Sequence, residues 1–297
     1  MIRERFVKSF THAALSPDPD LAVAALMIAR VEYPRIDAGP YLDRLDALGR
    51  EAKARVAAAG AADAPPRVDP DLYARIVALN DYLFGELRFV GNDRHYEDPR
   101  NSCLNEVMDR RTGIPITLAL LYMEVARRAG VHVVGVNFPG HFLLRCPAPR
   151  EQPWSKDLII DAYHGGALLS EEELLHRYRQ NGDDPEDASR LLARATKPQI
   201  LGRMLLNLKR VYMRMQSFPQ ARDITDLLLA VNPSAVDELR DRGMLAYQLN
   251  DLSAALRDLE KYLELSPKGD QDSEQREDHD QIWEHVKTLR RRVASLN

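Results

Sequence analysis

Cysteine is almost absent from this chain, with two in 297 residues. That excludes a disulfide framework and makes the cytoplasm the expected compartment. Long apolar runs are missing too. The longest, from 114 to 125, is interrupted by Pro115, Thr117 and Glu124, and a membrane span needs ~20 apolar residues. The opening MIRERFVKSF carries charges where a signal peptide would carry its apolar stretch, so no leader is expected. Nor is there an excess of positive charge. Lys plus Arg number 41 against 45 Asp plus Glu, a net of −4, which removes any general pull toward nucleic acid. Neither nucleic acid nor membrane is an expected partner. What remains is 45% hydrophobic and 29% charged, a soluble globular composition. The length is about twice the ~150 residues of a typical domain, so two domains are the starting expectation.

From 16 to 56, apolar residues recur at helical spacing: Leu21, Ala25 and Ile28, then Tyr41, Leu45 and Leu48. Tyr33-Pro34 marks the boundary, since proline disfavours α geometry in the residue before it. The stretch AAAGAADAPPR reads as a loop, and a third helix is expected over about 70–87.

The segment from Phe89 to Gly166 is chemically dense. Pro115 opens a helix in whose first turn its missing N–H costs nothing. The text ITLALLYMEVARRA then runs apolar on most faces to Gly130, which predicts a buried helix. Three β-rich pieces follow, VHVVGVNF, HFLLRC and LIID, with Pro139-Gly140 as a turn. A buried helix followed by three antiparallel strands is the expected core.

From Ile200 the texture is helical and repeats. Ala221 and Ala255 lie 34 residues apart, as do Pro233 and Pro267, and FPQARDITDLLLAVNP aligns with LSAALRDLEKYLELSP. That period with small residues and a closing proline is the tetratricopeptide pattern. Gly243 fills the small position of the second copy, whereas the first has Lys209. A last helix with Ile282, Trp283, Val286 and Leu289 reads as a cap.

The candidate chemistry centres on His141, which follows the Pro-Gly turn and opens a strand. Asp161 ends a neighbouring apolar strand, where an acid is out of place unless paired or functional. A strand His oriented by a strand Asp is two-thirds of a nucleophile–His–Asp set. The nucleophile would stand at the start of the buried helix, yet Gly113, Ile114, Pro115, Ile116 and Thr117 include no cysteine.

Glycine at a helix start, small and leucine residues at helical spacing, Arg127, Gly130, then strand His and strand Asp resemble the transglutaminase-like core, a relative of the papain fold. More closely, ALMIARVEYPRID, NSCLNEVMDRRTGIPITLALLYMEVARRAG, FPGHFLLR and IIDAYHGG resemble the bacterial SirB-one family. That family carries tetratricopeptide helices behind its core. Laid on this chain, Gly113 and Ala119 match its glycine and small residue, and Pro115 falls at the nucleophile. Cys103 stands where members carry an aromatic, and Ala162 where they carry a proline.

The resemblance implies an α+β transglutaminase-like core with a helical N-terminal part, followed by all-α hairpins. The expected divisions are 1–65, 66–196 and 197–297. The preferred function is a protein-binding adaptor or regulator that retains a His141–Asp161 dyad without cysteine chemistry. Its protein partner is expected on the repeats, within 200–267. The alternative is a cysteine-dependent peptidase, amidase or acyltransferase using Cys103, His141 and Asp161. Asn101, Asn105, Glu106, Gly113, Pro115 and Gly140 are cleft or structural candidates; capping and loop hydrogen bonds account for the first three equally well. His141, Asp161 and His164 are chemically suitable zinc ligands, but their spacing adds no support, and neither metal nor cofactor is expected.

Overall fold

The computed structural model describes residues 2–60, 63–180, 191–266 and 273–294. They divide into two compact units. One comprises residues 18–204; the other joins residues 1–17 to 205–297.

The larger unit is α+β. Helix α2 (Leu21–Ala29) is capped by Asp20, which accepts from the Val23 N–H at 3.0 Å. Helix α3 (Gly39–Ala58) has Pro40 in its first turn, and α4 (Pro70–Asn80) is capped by Asp69. The expected helix over 70–87 changes pitch: its second half, Asp81–Glu86, is a π-helical turn. Strand β1 (Val90–Gly91) pairs in parallel with β2 (Thr112–Gly113), and α5 (Leu104–Arg110) lies between them in sequence. Helix α6 (Pro115–Ala129) is buried along nearly its whole length and ends at Gly130, in left-handed conformation with φ 78°. It packs against α3 and against β3 (Val134–Val136) and β4 (Leu143–Cys146). With β5 (Leu158–Asp161) and β6 (Ala167–Leu169), these form an antiparallel sheet in sequential order.

The sheet thus has four strands rather than three, the last only three residues long. Hydrophobic residues of β3, β4 and β5 pack with Leu174 of α7 (Glu171–Gln180) and with Leu192. The approach of α3 to α6 depends on Gly49, where a Cβ would fall 2.2 Å from the Cβ of Arg128. No rotamer change relieves that overlap, so the helices must part. Gly49→Ala is expected to lower stability by about 1–3 kcal/mol, read as a lower urea midpoint at unchanged m-value.

The smaller unit is helical. Helix α8 (Lys197–Arg214) runs into it and is followed by α9 (Phe218–Val231), α10 (Val236–Gln248), α11 (Leu252–Leu265) and α12 (Ser273–Ala294). Ala221 and Ala255, the paired small residues, are both fully buried. Lys209 is buried as well, and its ammonium reaches Glu238 and Asp241, each at 2.6 Å. The position that departs from the repeat pattern is therefore occupied by an ion pair between helices. Ile282, Val286 and Leu289 of α12 cover Leu252, Ala255, Leu259 and Tyr262. Pro267 lies outside the described residues. Helix α1 (Ile2–Ala14) packs on α9, so the first 17 residues belong with the repeats rather than with the core. The buried Phe10 and Ala14 explain the attachment.

Candidate functional site

The site is assembled at the β4–β5 edge. His141 lies in the turn before β4, two residues ahead of the strand it was expected to open. Gly140, with φ 69°, makes that turn. Asp161 is the last residue of β5 and is buried. The His141 Nε2 lies 2.9 Å from Asp161 Oδ2, and His164 Nδ1 lies 2.8 Å from the same oxygen. The other oxygen, Oδ1, accepts from the backbone N–H groups of Tyr163 and His164 at 3.0 and 3.2 Å. Burial alone would raise the Asp161 pKa. The hydrogen bonds and charges of the two histidines outweigh it and bring the group down to about 2. Asp161 is an ionised carboxylate at neutral pH, with both oxygens occupied.

Tyr163 borders this cluster. Its ring meets both imidazoles edge-on, with centroids 6.1 Å from His141 and 5.2 Å from His164. Its hydroxyl donates to Asp93 Oδ1 at 2.7 Å. Gly91 leaves room for the ring, because a Cβ there would lie 2.6 Å from it. Since Gly91 pairs with Gly113, the cluster is linked through β1 and β2 to the start of α6. Pro115 is the first residue of that helix and is buried.

Cys103 has other company. It is 1% exposed, and its Sγ donates to the Pro99 carbonyl at 3.6 Å. The charges acting on it are those of Glu32, Glu106, Asp98 and Arg110, with no imidazole among them. Burial first, then these carboxylates, push its thiol up to about 12. Cys146 is likewise buried, donates to the His132 carbonyl at 3.2 Å, and is pushed up to about 12 by burial.

Asn101 is fully buried and serves as a junction. Its amide donates to the His95 and Tyr96 carbonyls, while its oxygen accepts from Asn92 and Arg110. Its backbone carbonyl accepts from the Thr117 hydroxyl at 2.7 Å, fixing the first turn of α6. Asn105 is buried on α5 with its Oδ1 unpartnered among the described residues. Glu106, on the same helix, faces the Tyr33 hydroxyl, whose pKa is raised by burial first and then by this carboxylate. These three belong to the support of α5 and α6 and are not hydrogen-bonded to His141 or Asp161. Tyr163, Asp93 and Gly91 escaped sequence reasoning. The only local signal was the IIDAYHGG text, in which Tyr163 and His164 follow Asp161 at turn spacing.

A family model described as the transglutaminase-like superfamily matches residues 40–206, a span holding the whole cluster. The chain belongs to that superfamily. A tetratricopeptide-repeat model matches residues 208–286 of this transglutaminase-like protein. Its relatives include a "UPF0162 protein" of Xylella fastidiosa, 37% identical over 90% of this chain and 92% of that protein. "Protein SirB1" of Salmonella typhimurium is 24% identical over 85% and 88%. Human "F-box only protein 21" is 35% identical over 58% of this chain, but over only 28% of its own length. The resemblance to the SirB-one family and the α+β-plus-repeat architecture both stand on these matches.

Proposed function

We propose that this transglutaminase-like protein is a cytoplasmic protein-binding adaptor or regulator whose core performs no cysteine chemistry. The observation that carries the reading is the state of the two thiols. Both are buried, both donate to main-chain carbonyls, and both are pushed up to about 12. Thiolate is the nucleophilic form, and catalytic cysteines hold it by pairing with imidazole or a helix N-terminus. Cys103 does precede α5, but its Sγ makes no cap bond there and turns to the Pro99 carbonyl instead. Pro115, at the position that the family resemblance assigns to the nucleophile, cannot take that part. The remaining function falls to binding.

The repeats offer a groove of about 580 Å³ between α10, α11 and α12, with Leu239, Leu256 and Val293 inside and Arg257 and Lys261 along it. Such a groove suits an apolar side chain carried on a partner segment. No described helix is long and apolar enough to cross a membrane.

The test is alkylation of the native full chain at pH 8. Both thiols should react on the order of a thousandfold more slowly than free cysteine, and both should label at once in denaturant. Amine incorporation and amide hydrolysis should be absent. Fast labelling of Cys103, with an activity lost in Cys103→Ala, would establish the cysteine-dependent peptidase, amidase or acyltransferase instead.

A further inference from the structure

Two histidines directing ring nitrogens at one carboxylate oxygen is more than an orienting dyad requires. A single hydrogen bond donated to Asp161 would fix the His141 ring. Here His164 adds a second, and the nitrogen and oxygen atoms that the three residues offer all lie within 4.8 Å of one another. As hydrogen bonds, the two contacts each require a proton on the nitrogen facing Oδ2. Without those protons, three lone pairs converge on one point.

We propose that His141 Nε2, Asp161 Oδ2 and His164 Nδ1 form a three-ligand site for a zinc-type divalent cation, with a fourth position open to water or to an oxygen of a bound ligand. The donor set is one that zinc takes. Tetrahedral bonds of about 2.0–2.1 Å hold donors about 3.3 Å apart. The two nitrogen–oxygen separations of 2.9 and 2.8 Å need to open by about half an ångström to reach that spacing. The two nitrogens, within 4.8 Å of one another, must settle at the same distance.

The surroundings are those of a built site. Asp161 Oδ1 is tied to two backbone N–H groups, so the carboxylate plane is set and Oδ2 alone faces the imidazoles. Tyr163 flanks both rings and is itself anchored on Asp93. Such outer contacts orient metal ligands. Exposure is graded: the Asp161 side chain is 5% exposed, His141 23% and His164 64%. A cation therefore has an entry path on the His164 side. The inference goes beyond the adaptor reading and does not depend on it, because the ligands include neither thiol.

The chelator-treated full chain would be titrated with zinc chloride by calorimetry and with cobalt chloride by visible spectroscopy. One equivalent of zinc should bind, and cobalt should give the intense d–d bands of four-coordination. His164→Ala should weaken zinc at least tenfold while the metal-free protein stays folded, its thermal unfolding lowered by no more than the loss of one Asp161 hydrogen bond, since that side chain is largely exposed. His141→Ala should do the same; if it misfolds, His164→Ala decides. Cys103→Ala with Cys146→Ala should bind as the parent does. Absence of a stoichiometric site, or equal zinc affinity in His164→Ala and the parent, would overturn the proposal. Either result would leave the cysteine-labelling test of the adaptor reading untouched.

Discussion

Ala255→Glu should unfold the repeat unit or leave it close to unfolding. Ala255 is fully buried on α11, among Leu252, Leu259, Tyr262 and the α12 side chains Ile282, Val286 and Leu289. The new side chain adds volume to a packed layer, which by itself costs about 1–3 kcal/mol. It also brings a carboxylate into an apolar cluster, and an uncompensated buried charge costs about 3–5 kcal/mol. A domain has only about 5–15 kcal/mol in total. Hydrogen exchange on the full chain should show protection lost across α10, α11 and α12. Arg257→Ala is the control, since that side chain is 70% exposed and sits 3.6 Å from Asp258. It should change stability by less than about 0.5 kcal/mol. Native-like exchange in Ala255→Glu would mean that the packing of this layer has been misread.

The second large effect is the acid dependence set by Asp161. Its folded pKa is depressed to about 2 from an ordinary 3.8. A depressed carboxylate stabilises the fold fully above its unfolded pKa, and the contribution disappears as pH falls through the folded one. The shift corresponds to about 2 kcal/mol at neutral pH. Asp161→Asn keeps the shape and the acceptor for the backbone N–H groups but removes the charge. In chelator, the variant should be less stable than the parent by about 2 kcal/mol at pH 7. The gap should narrow between about pH 4 and pH 2 and vanish below. Urea midpoints across that range give the answer; a gap independent of pH would show that the loss comes from packing, not charge.

Much of this was readable before any coordinates. Helix α6 announces itself through Pro115, an apolar run and Gly130, all local signals. The repeats show through Ala221 and Ala255, because a fixed period survives even where Lys209 replaces a small residue. The hydrogen bond between His141 and Asp161 follows from an acid that would be costly to leave unpaired in an apolar strand. Other features leave too little trace. Strand β6 has three residues and the β1–β2 pair two each, below the length at which alternation can be recognised. The π-helical turn after α4 keeps an ordinary helical composition. The contact between Tyr163 and Asp93 joins residues 70 apart, and nothing in either neighbourhood points to the other.

The placement of α1 has a consequence for how the chain is made. Its partner α9 begins at Phe218, so roughly 200 residues separate the two surfaces that must meet. At about 5–20 residues per second, the ribosome takes about 10–40 s to supply that partner. During this interval α1 is left with the apolar face around Phe10 and Ala14 uncovered while the segment from Asp18 to Met204 is being made. The larger unit can thus mature first, as an insertion within a unit whose two ends are synthesised far apart in time. Contacts of such long range form late and slow folding, so the apolar face of α1 waits uncovered until α9 has been made.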